Sequence, residues 1–298
     1  MTVRLDMSQA VKGAVEVLGD SADAVRGFLR RQLAPDGGFQ GRDGRSDLYY
    51  TVFGLEASLA MDIDVPRDRV SGYLDGFGDG ESLDLVHLAA LIRCRANWCD
   101  AGMGEMRARE MMAEHLMEYR SRDGGFNMMP GAEQGSAYGS FLALGAWQDL
   151  GIDCPEPKAM AESIASLQRP DGGYANDATM VAGVTPAAAA AISVLHYLKQ
   201  PVPESAVQWL LARAHRVGGF VAIPFGGDAG VPDLLSTATA LHALALIGVQ
   251  MAETRDKHLD YLDSLWNAQG GFRGHWADEV VDCEYTYYGL LALGTLAR

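Results

Sequence analysis

Four apolar stretches of the sequence open with an aspartate. They begin Asp47-Leu48-Tyr49-Tyr50-Thr51, Asp84-Leu85-Val86-His87-Leu88, Asp233-Leu234-Leu235-Ser236-Thr237 and Asp282-Cys283-Glu284-Tyr285-Thr286. A carboxyl group held in a site of suitable polarity can act as a general acid. The candidate catalytic residues are therefore Asp47, Asp84, Asp233, Asp282 and Glu284. An aspartate at this position can equally cap a helix N-terminus, which stabilises the helix by about 1 kcal/mol.

Asp282 and Glu284 are two residues apart. If their carboxyl groups lie close together, like-charge repulsion raises one pKa and the pair could share a proton. We keep this as a hypothesis for the acid.

Aromatic side chains follow the starts of these stretches and of a similar stretch near residue 135. The candidate substrate-binding residues are Tyr49, Tyr50, Phe53, His87, Tyr138, Phe141, Tyr285 and Tyr288. Aromatic faces suit a long apolar ligand and stabilise a carbocation by roughly 1–2 kcal/mol each. The plain alternative is that these rings only fill a core.

A repeated glycine string separates the stretches. Its copies are Asp36-Gly37-Gly38-Phe39, Asp123-Gly124-Gly125-Phe126, Asp171-Gly172-Gly173-Tyr174, Val217-Gly218-Gly219-Phe220 and Gln269-Gly270-Gly271-Phe272. The first spacing is nearly double the others, which predicts a degenerate copy at Phe77-Gly78-Asp79-Gly80. Glycine adopts positive φ without a Cβ clash, so we expect each pair to end a helix and turn the chain. The aromatic residue is expected to fill the seam between repeats.

Two classes of helix flank the strings. Amphipathic stretches precede them and predict outer helices at 21–33, 103–120, 156–168, 203–216 and 254–267. More apolar stretches follow them and predict inner helices at 46–61, 81–98, 135–150, 184–199, 233–248 and 282–297. The absence of an alternating apolar run argues against a sheet. The pattern predicts one all-α domain over 1–298, with repeats at about 21–61, 66–98, 103–150, 156–199, 203–248 and 254–297 after an N-terminal extension, 1–20.

Two pairs of motifs carry a family resemblance. The segments 32–39 and 168–174 resemble the Gln-to-aromatic repeat of squalene and hopene cyclases. The segments 231–237 and 281–286 resemble the last two repeats of protein prenyltransferase β subunits. The resemblance runs from about residue 21 to the C-terminus and implies an (α/α)6 toroid of six inner and six outer helices. In such a ring the inner-helix N-termini surround one mouth of a central cavity. The candidate acids would then form its rim and the aromatic residues its wall.

The residues that define the best-known chemistries of these families are missing. The positions that match the prenyltransferase zinc ligands hold Asp233, Leu235 and Tyr285, so we expect no zinc unless Cys283 and Asp282 substitute. The Asp-x-Asp-Asp acid string of class II cyclases is also absent, and the nearest string is Asp62-Ile63-Asp64-Val65.

A diphosphate cradle is poorly supported as well. The matching stretches 179–184 and 221–228 hold no basic residue. The basic groups expected near the rim are Arg42, Arg45, Arg273 and His275. We expect no cofactor, with Mg²⁺ required only if the substrate is a diphosphate.

Charge and composition exclude some partners. A formal net charge of −15 over 298 residues argues against a nucleic-acid or anionic-membrane surface. The cysteines form no C-x-x-C pair and are expected to be reduced, packed thiols; they are Cys94, Cys99, Cys154 and Cys283. The N-terminal stretch lacks a long apolar run, which predicts a cytoplasmic protein. His196 and His242 are expected to be satisfied core groups of inner helices.

Three functions remain open. The leading hypothesis is an isoprenoid-converting, terpene-cyclase-like enzyme that binds a long apolar substrate in the cavity and starts a cyclisation or rearrangement with a carboxylic acid. One barrel is the size of a prenyltransferase β subunit, whereas familiar class II cyclases use two. The second hypothesis is therefore a prenyl diphosphate transferase with a helical partner chain. The third is a non-catalytic toroid that binds a lipid or a protein, and a homodimer is also open.

Overall fold

Alternating apolar and amphipathic segments form helices throughout the chain. The computed structural model describes residues 1–98, 106–223 and 230–298. Cys99, the start of the predicted helix 103–120 and most of the stretch 221–228 lie outside these ranges. The α-helices of the described residues are α1 (Val3–Leu18), α2 (Ala22–Gln32), α3 (Leu48–Ala60), α4 (Arg67–Asp75), α5 (Leu85–Trp98), α6 (Met106–Glu118), α7 (Ala137–Leu150), α8 (Pro157–Ser166), α9 (Thr185–Tyr197), α10 (Glu204–Leu211), α11 (Leu234–Leu246), α12 (Arg255–Ser264) and α13 (Cys283–Leu296).

The odd-numbered helices from α3 to α13 form a closed inner ring. Each packs against the next, and α13 returns to pack against α3. The even-numbered helices from α2 to α12 lie outside them. One small antiparallel pair, β1 (Phe220–Val221) and β2 (Pro232–Asp233), joins two loops. The all-α (α/α)6 toroid predicted from the sequence is confirmed.

The glycine strings do not end the outer helices as expected. Helix α2 ends at Gln32, and Gly37 follows with φ of 101° in a turn closed by an antiparallel bridge from Leu33 to Phe39. A Cβ at Gly37 would overlap the carbonyl of Arg69 on α4. The glycine is therefore required for close packing of the turn on the next outer helix.

The last glycine string closes the outer layer in the same way. A Cβ at Gly270, which has φ of 100°, would overlap the carbonyl of Ala24 on α2. The aromatic residue of each string is buried. Phe39, for example, is fully buried and packs so closely on Gly54 of α3 that a Cβ there would meet its ring.

The N-terminal extension is a helix that crosses one end of the ring. Its buried face carries Val3, Met7, Ala10, Val11 and Ala14, at helical spacing. The Val3 amide donates to the Gln148 side chain at the end of α7 (2.8 Å). At the other end α1 packs on α13, where a Cβ at Gly294 would overlap the Ala10 carbonyl. Helix α1 therefore covers one end of the ring, where the inner helices have their C-terminal ends.

No helix among the described segments is both long and apolar enough to span a membrane.

Candidate functional site

A cavity of about 380 Å³ lies inside the ring, between the first turns of the inner helices and α1. Its wall is built largely from aliphatic and aromatic side chains of α3, α7, α9, α11 and α13. The lining residues are Met7, Tyr49, Tyr138, Phe141, Asn176, Val184, Pro186, Ala187, Ala189, Ala190, Ser193, Leu235, Thr239, His242, Glu284, Tyr288 and Leu291. A smaller cavity of about 80 Å³ beside it shares Met7 and several of the aromatic rings.

One predicted acid, Glu284, lines this cavity. It lies in the first turn of α13, and its Oε1 accepts a 2.6 Å hydrogen bond from the Tyr49 hydroxyl on α3. Burial raises the pKa of Glu284, and this effect outweighs the lowering by the Tyr49 hydrogen bond. Burial also raises the pKa of Tyr49, which keeps its hydroxyl a donor.

Aromatic rings surround the Glu284 carboxyl group. Tyr49 and Phe53 pack edge to face with centroids 5.1 Å apart, and Phe53 contacts Tyr288 at 5.5 Å. Tyr138 and Phe141 line both cavities from α7. Burial raises the pKa of Tyr138 to about 12. The structure thus places four of the predicted substrate-binding residues in the main cavity and Phe53 in the smaller one.

The remaining predicted binding residues do not line either cavity. Tyr50 packs edge to face on Tyr49 with centroids 5.5 Å apart. The guanidinium of Arg42 lies over the Tyr285 ring, 5.4 Å from its centroid. His87 Nδ1 lies 2.8 Å from Asp84 Oδ1.

The predicted aspartates cap inner helices instead of lining the cavity. Their Oδ1 atoms accept hydrogen bonds from the backbone amides three residues later, in Asp47–Tyr50, Asp84–His87, Asp233–Ser236 and Asp282–Tyr285. Burial raises the pKa of Asp233 and Asp282. The pKa of Asp84 is lowered overall, because its hydrogen bonds from His87 outweigh the opposing effect of burial.

Asp282 and Glu284 bind different partners. The second oxygen of Asp282 accepts a 2.8 Å hydrogen bond from Arg42 Nε, while Glu284 is bound to Tyr49. Each carboxyl group is therefore hydrogen-bonded to a different side chain, and the charge of Asp282 adds to the rise of the Glu284 pKa.

Arg42 is neutralised by neighbouring carboxylates. Its Nη2 lies 2.9 Å from Asp278, and its Nε binds Asp282. These contacts join the loop between α2 and α3 to the loop between α12 and α13. They therefore hold the first and last repeats together at the mouth of the cavity. The positive charge of Arg42 is therefore already compensated before any ligand arrives.

The residues at the prenyltransferase metal position do not fit zinc. Leu235 has no donor atom, and Asp233 is engaged as a helix cap. Cys283 is fully buried, and burial raises the pKa of its thiol well above the usual value, whereas zinc needs the thiolate. Within the described ranges, no group of three or more His, Cys, Asp or Glu side chains is arranged to hold a metal ion.

A polar network lines the smaller cavity and was missed by the sequence prediction. Arg93 binds both oxygens of the Glu56 carboxylate at 2.6 and 2.7 Å and donates to the Tyr287 hydroxyl at 3.1 Å. Arg4 of α1 binds Asp149 at 2.7 Å. Burial raises the pKa of Asp149 to about 6. The signal that could have found this network is the presence of charged residues within otherwise apolar inner helices.

The position of His242 differs from the expectation for a core histidine. It lines the cavity from α11, and its Nε2 is buried without a hydrogen-bond partner in the described part of the chain. It is therefore not the satisfied core histidine that its helical position suggested. Asn176 and Ser193 are further polar cavity residues that the sequence did not single out.

The closed ring of helix pairs around an aromatic cavity defines an α/α toroid protein. The family model described as the prenyltransferase alpha-alpha toroid domain matches residues 13–222 and 188–298, and the chain belongs to this family. No curated protein matches its sequence.

Several solved structures share the fold at low sequence identity. The type II terpene cyclase MstE from Scytonema is 14% identical with a TM-score of 0.63, and the match covers 95% of this chain and 98% of the cyclase. Protein geranylgeranyltransferase-I from Candida albicans is 14% identical with a TM-score of 0.61, covering 83% and 84%. A protein from Actinoplanes is 17% identical with a TM-score of 0.56, covering 94% and 100%.

Proposed function

We propose that the protein is an isoprenoid-converting, terpene-cyclase-like enzyme in which Glu284 acts as the general acid. The observation that carries this proposal is the Tyr49–Glu284 pair on the wall of an apolar, aromatic cavity. The four capping aspartates stabilise the mouth that holds this pair, and Asp282 additionally tunes its charge.

A carboxyl group in this setting suits protonation of an alkene. Burial favours the neutral acid, which is the form that can donate a proton. The Glu284 proton forms a new C–H bond as the alkene π bond breaks, which leaves a tertiary carbocation and a carboxylate. A second alkene then supplies its π electrons to form a C–C bond. Loss of a proton from the final cation, through water, restores the acid, so the product is an isomer of the substrate.

The cavity wall suits both the substrate and the cation. Apolar side chains favour transfer of a hydrocarbon chain from water. The rings of Tyr49, Tyr138 and Tyr288 present π systems that stabilise a passing positive charge. The volume of about 380 Å³ falls near the lower end of small-molecule pockets, which run from roughly 300 to 1,000 Å³. A ligand of few isoprene units is therefore favoured over a triterpene.

The fold neighbours support the substrate class. A substitution variant of MstE has been solved in complex with its substrate, geranylgeranyl dihydroxybenzoate. The Candida transferase has been solved in complex with GGPP. A prenyl diphosphate transferase is less favoured for this chain. Arg42 is already paired with Asp278 and Asp282, and the position of a zinc ligand holds Leu235.

Incubation with a panel of isoprenoids tests the proposal. The panel holds alcohols, hydrocarbons and diphosphates of several chain lengths, and organic extracts are examined by mass spectrometry. The expected result is consumption of at least one member and formation of a product of the same mass. The Glu284→Gln variant serves as the control and should form none. No consumption of any member, or release of diphosphate with transfer of the chain, would contradict the proposal.

A further inference from the structure

A second polar group faces the cavity at a greater depth than Glu284. His242 lies eight residues beyond the start of α11, which places it about 12 Å along that helix. Glu284 lies in the first turn of the neighbouring α13. The cavity therefore has the carboxyl group near its mouth and the imidazole near its floor, with aliphatic and aromatic wall between them.

The imidazole of His242 is uncharged and belongs to a residue that lines the cavity. The residue is 6% exposed, and its buried Nε2 has no hydrogen-bond partner among the residues that the structure describes. Burial lowers the pKa of His242 to about 3, helped by the charges of Arg298 and Arg93 and by His196. A neutral imidazole offers one N–H donor and one acceptor nitrogen. A buried polar atom left unpaired is costly, so a partner in the cavity is expected.

Two hydroxyl groups on the same wall complete the hydrogen-bonding pattern. Thr239 lies one turn before His242 on α11, and its hydroxyl donates to the Leu235 carbonyl at 2.7 Å. The Ser193 hydroxyl on α9 donates to the Ala189 carbonyl at 2.8 Å. Both residues line the cavity, and because their hydrogens are already engaged, their oxygens can bind a ligand only as acceptors. The three residues His242, Thr239 and Ser193 therefore offer one donor and several acceptors, and none of the three side chains is charged.

We propose that His242, with Thr239 and Ser193, forms a deep subsite that binds the uncharged hydroxyl group of an isoprenoid alcohol. A hydroxyl group both donates and accepts, which matches the pattern of this wall. The alcohol end then lies near α1, and the alkene to be protonated lies beside Glu284 at the mouth. This inference rests on the proposed function, because it assumes that the cavity takes an isoprenoid chain.

A pair of matched probes tests the subsite. Farnesol and the hydrocarbon farnesene have the same number of carbon atoms, and farnesene carries a further double bond in place of the hydroxyl group. Their dissociation constants are measured by competition with an environment-sensitive fluorescent lipid. Wild-type protein is expected to bind farnesol about tenfold more tightly, as one additional hydrogen bond provides. His242→Phe is expected to abolish this preference, so that the ratio of the two dissociation constants falls to about one. Preference retained in His242→Phe overturns the proposal.

Two further measurements separate the outcomes. Glu284→Gln tests the opposite orientation, and loss of the farnesol preference in that variant would also overturn the subsite. If His242→Phe fails to fold, the subsite is tested by NMR on wild-type protein. The imidazole resonance of His242 is assigned by comparison with the His242→Gln variant. Farnesol alone should shift the His242 resonance, whereas equal shifts with both probes contradict the proposal. Equal affinity for the two probes removes only this subsite, while failure of both to bind removes it together with the proposed function.

Discussion

The Tyr49 hydroxyl donates a 2.6 Å hydrogen bond to the Glu284 carboxyl group across the seam where α3 meets α13. The two residues are 235 positions apart in the chain. The first and last inner helices must meet before this pair can form. The proposed acid is thus a product of ring closure, and the Arg42 contacts with Asp278 and Asp282 hold the same seam at the mouth.

Replacing Glu284 by Gln should abolish turnover with little effect on folding. The amide cannot donate a strongly acidic proton, so we expect kcat to fall by at least about 100-fold, in the range typical of lost general-acid catalysis. Asp233→Asn is the matched control because asparagine caps a helix as well as aspartate does. Its kcat should stay within about threefold of wild type. A loss of turnover in the control equal to that in Glu284→Gln would move the acid to Asp233.

Replacing Tyr49 by Phe should shift the pH dependence of turnover. The Tyr49 hydrogen bond favours the carboxylate of Glu284, so its removal raises the pKa of the acid further. A general acid acts in its protonated form, and activity is lost as pH rises through its pKa. The alkaline limb of the kcat profile should therefore move to higher pH, by about one unit. A limb that stays in place or moves to lower pH would show that Tyr49 does not control the acid.

His258 should make the fold sensitive to acid. Its Nδ1 accepts a 3.0 Å hydrogen bond from the Gly219 amide, and its ring stacks on Phe220 with centroids 5.3 Å apart. Burial lowers its pKa from 6.5 to about 4. Between these values the unfolded chain binds a proton that the folded chain excludes, so stability is lost as pH falls.

The measurement is the free energy of unfolding by denaturant at pH 7 and pH 5. Each buried histidine of this kind should remove about 1 kcal/mol per pH unit below 6.5. His258→Gln should reduce this slope by about that amount. The slope that remains combines His242, which acts in the same direction, with buried carboxyl groups of raised pKa such as Asp149, which act in the opposite direction. Identical slopes in wild type and variant would contradict the assignment.

Glycine at position 294 should be required for docking of α1. A Cβ there overlaps the Ala10 carbonyl, so Gly294→Ala must displace α1 from α13 and should cost more than about 2 kcal/mol. Gly72→Ala is the control, since a Cβ at that exposed helical position meets nothing within 4 Å. It should be neutral or slightly stabilising, as alanine favours helices by about 1 kcal/mol. Thermal unfolding of both variants gives the answer, and equal midpoints would contradict the packing.

The fold could be predicted from local sequence features, whereas the residues of the candidate site could be predicted only in part. Repeated glycine strings and two helix classes predict the toroid because turn chemistry and periodicity are local. The sequence could not separate Asp282 from Glu284. Both stand at the start of α13, but the first caps the helix and the second faces the cavity, which depends on helix rotation within the ring.

Residues that depend on contacts between distant repeats were missed for the same reason. The buried face of α1 has helical spacing, yet its place across the ring depends on α7 and α13. His242 looks like any histidine in an apolar helix until the empty space beside its ring is known. Gly37 and Gly270 were predicted only to turn the chain. They also allow close contact with the next outer helix, which the sequence alone does not show.

Deuterium incorporation from solvent shows whether Glu284 is the acid. In D₂O the Glu284 carboxyl group exchanges its proton and should deliver one deuterium to the substrate alkene. Wild-type protein is expected to yield an isomeric product one mass unit heavier than the product formed in H₂O, and Glu284→Gln is expected to yield none. A product formed in D₂O without deuterium, or formed equally by Glu284→Gln, would contradict Glu284 as the acid.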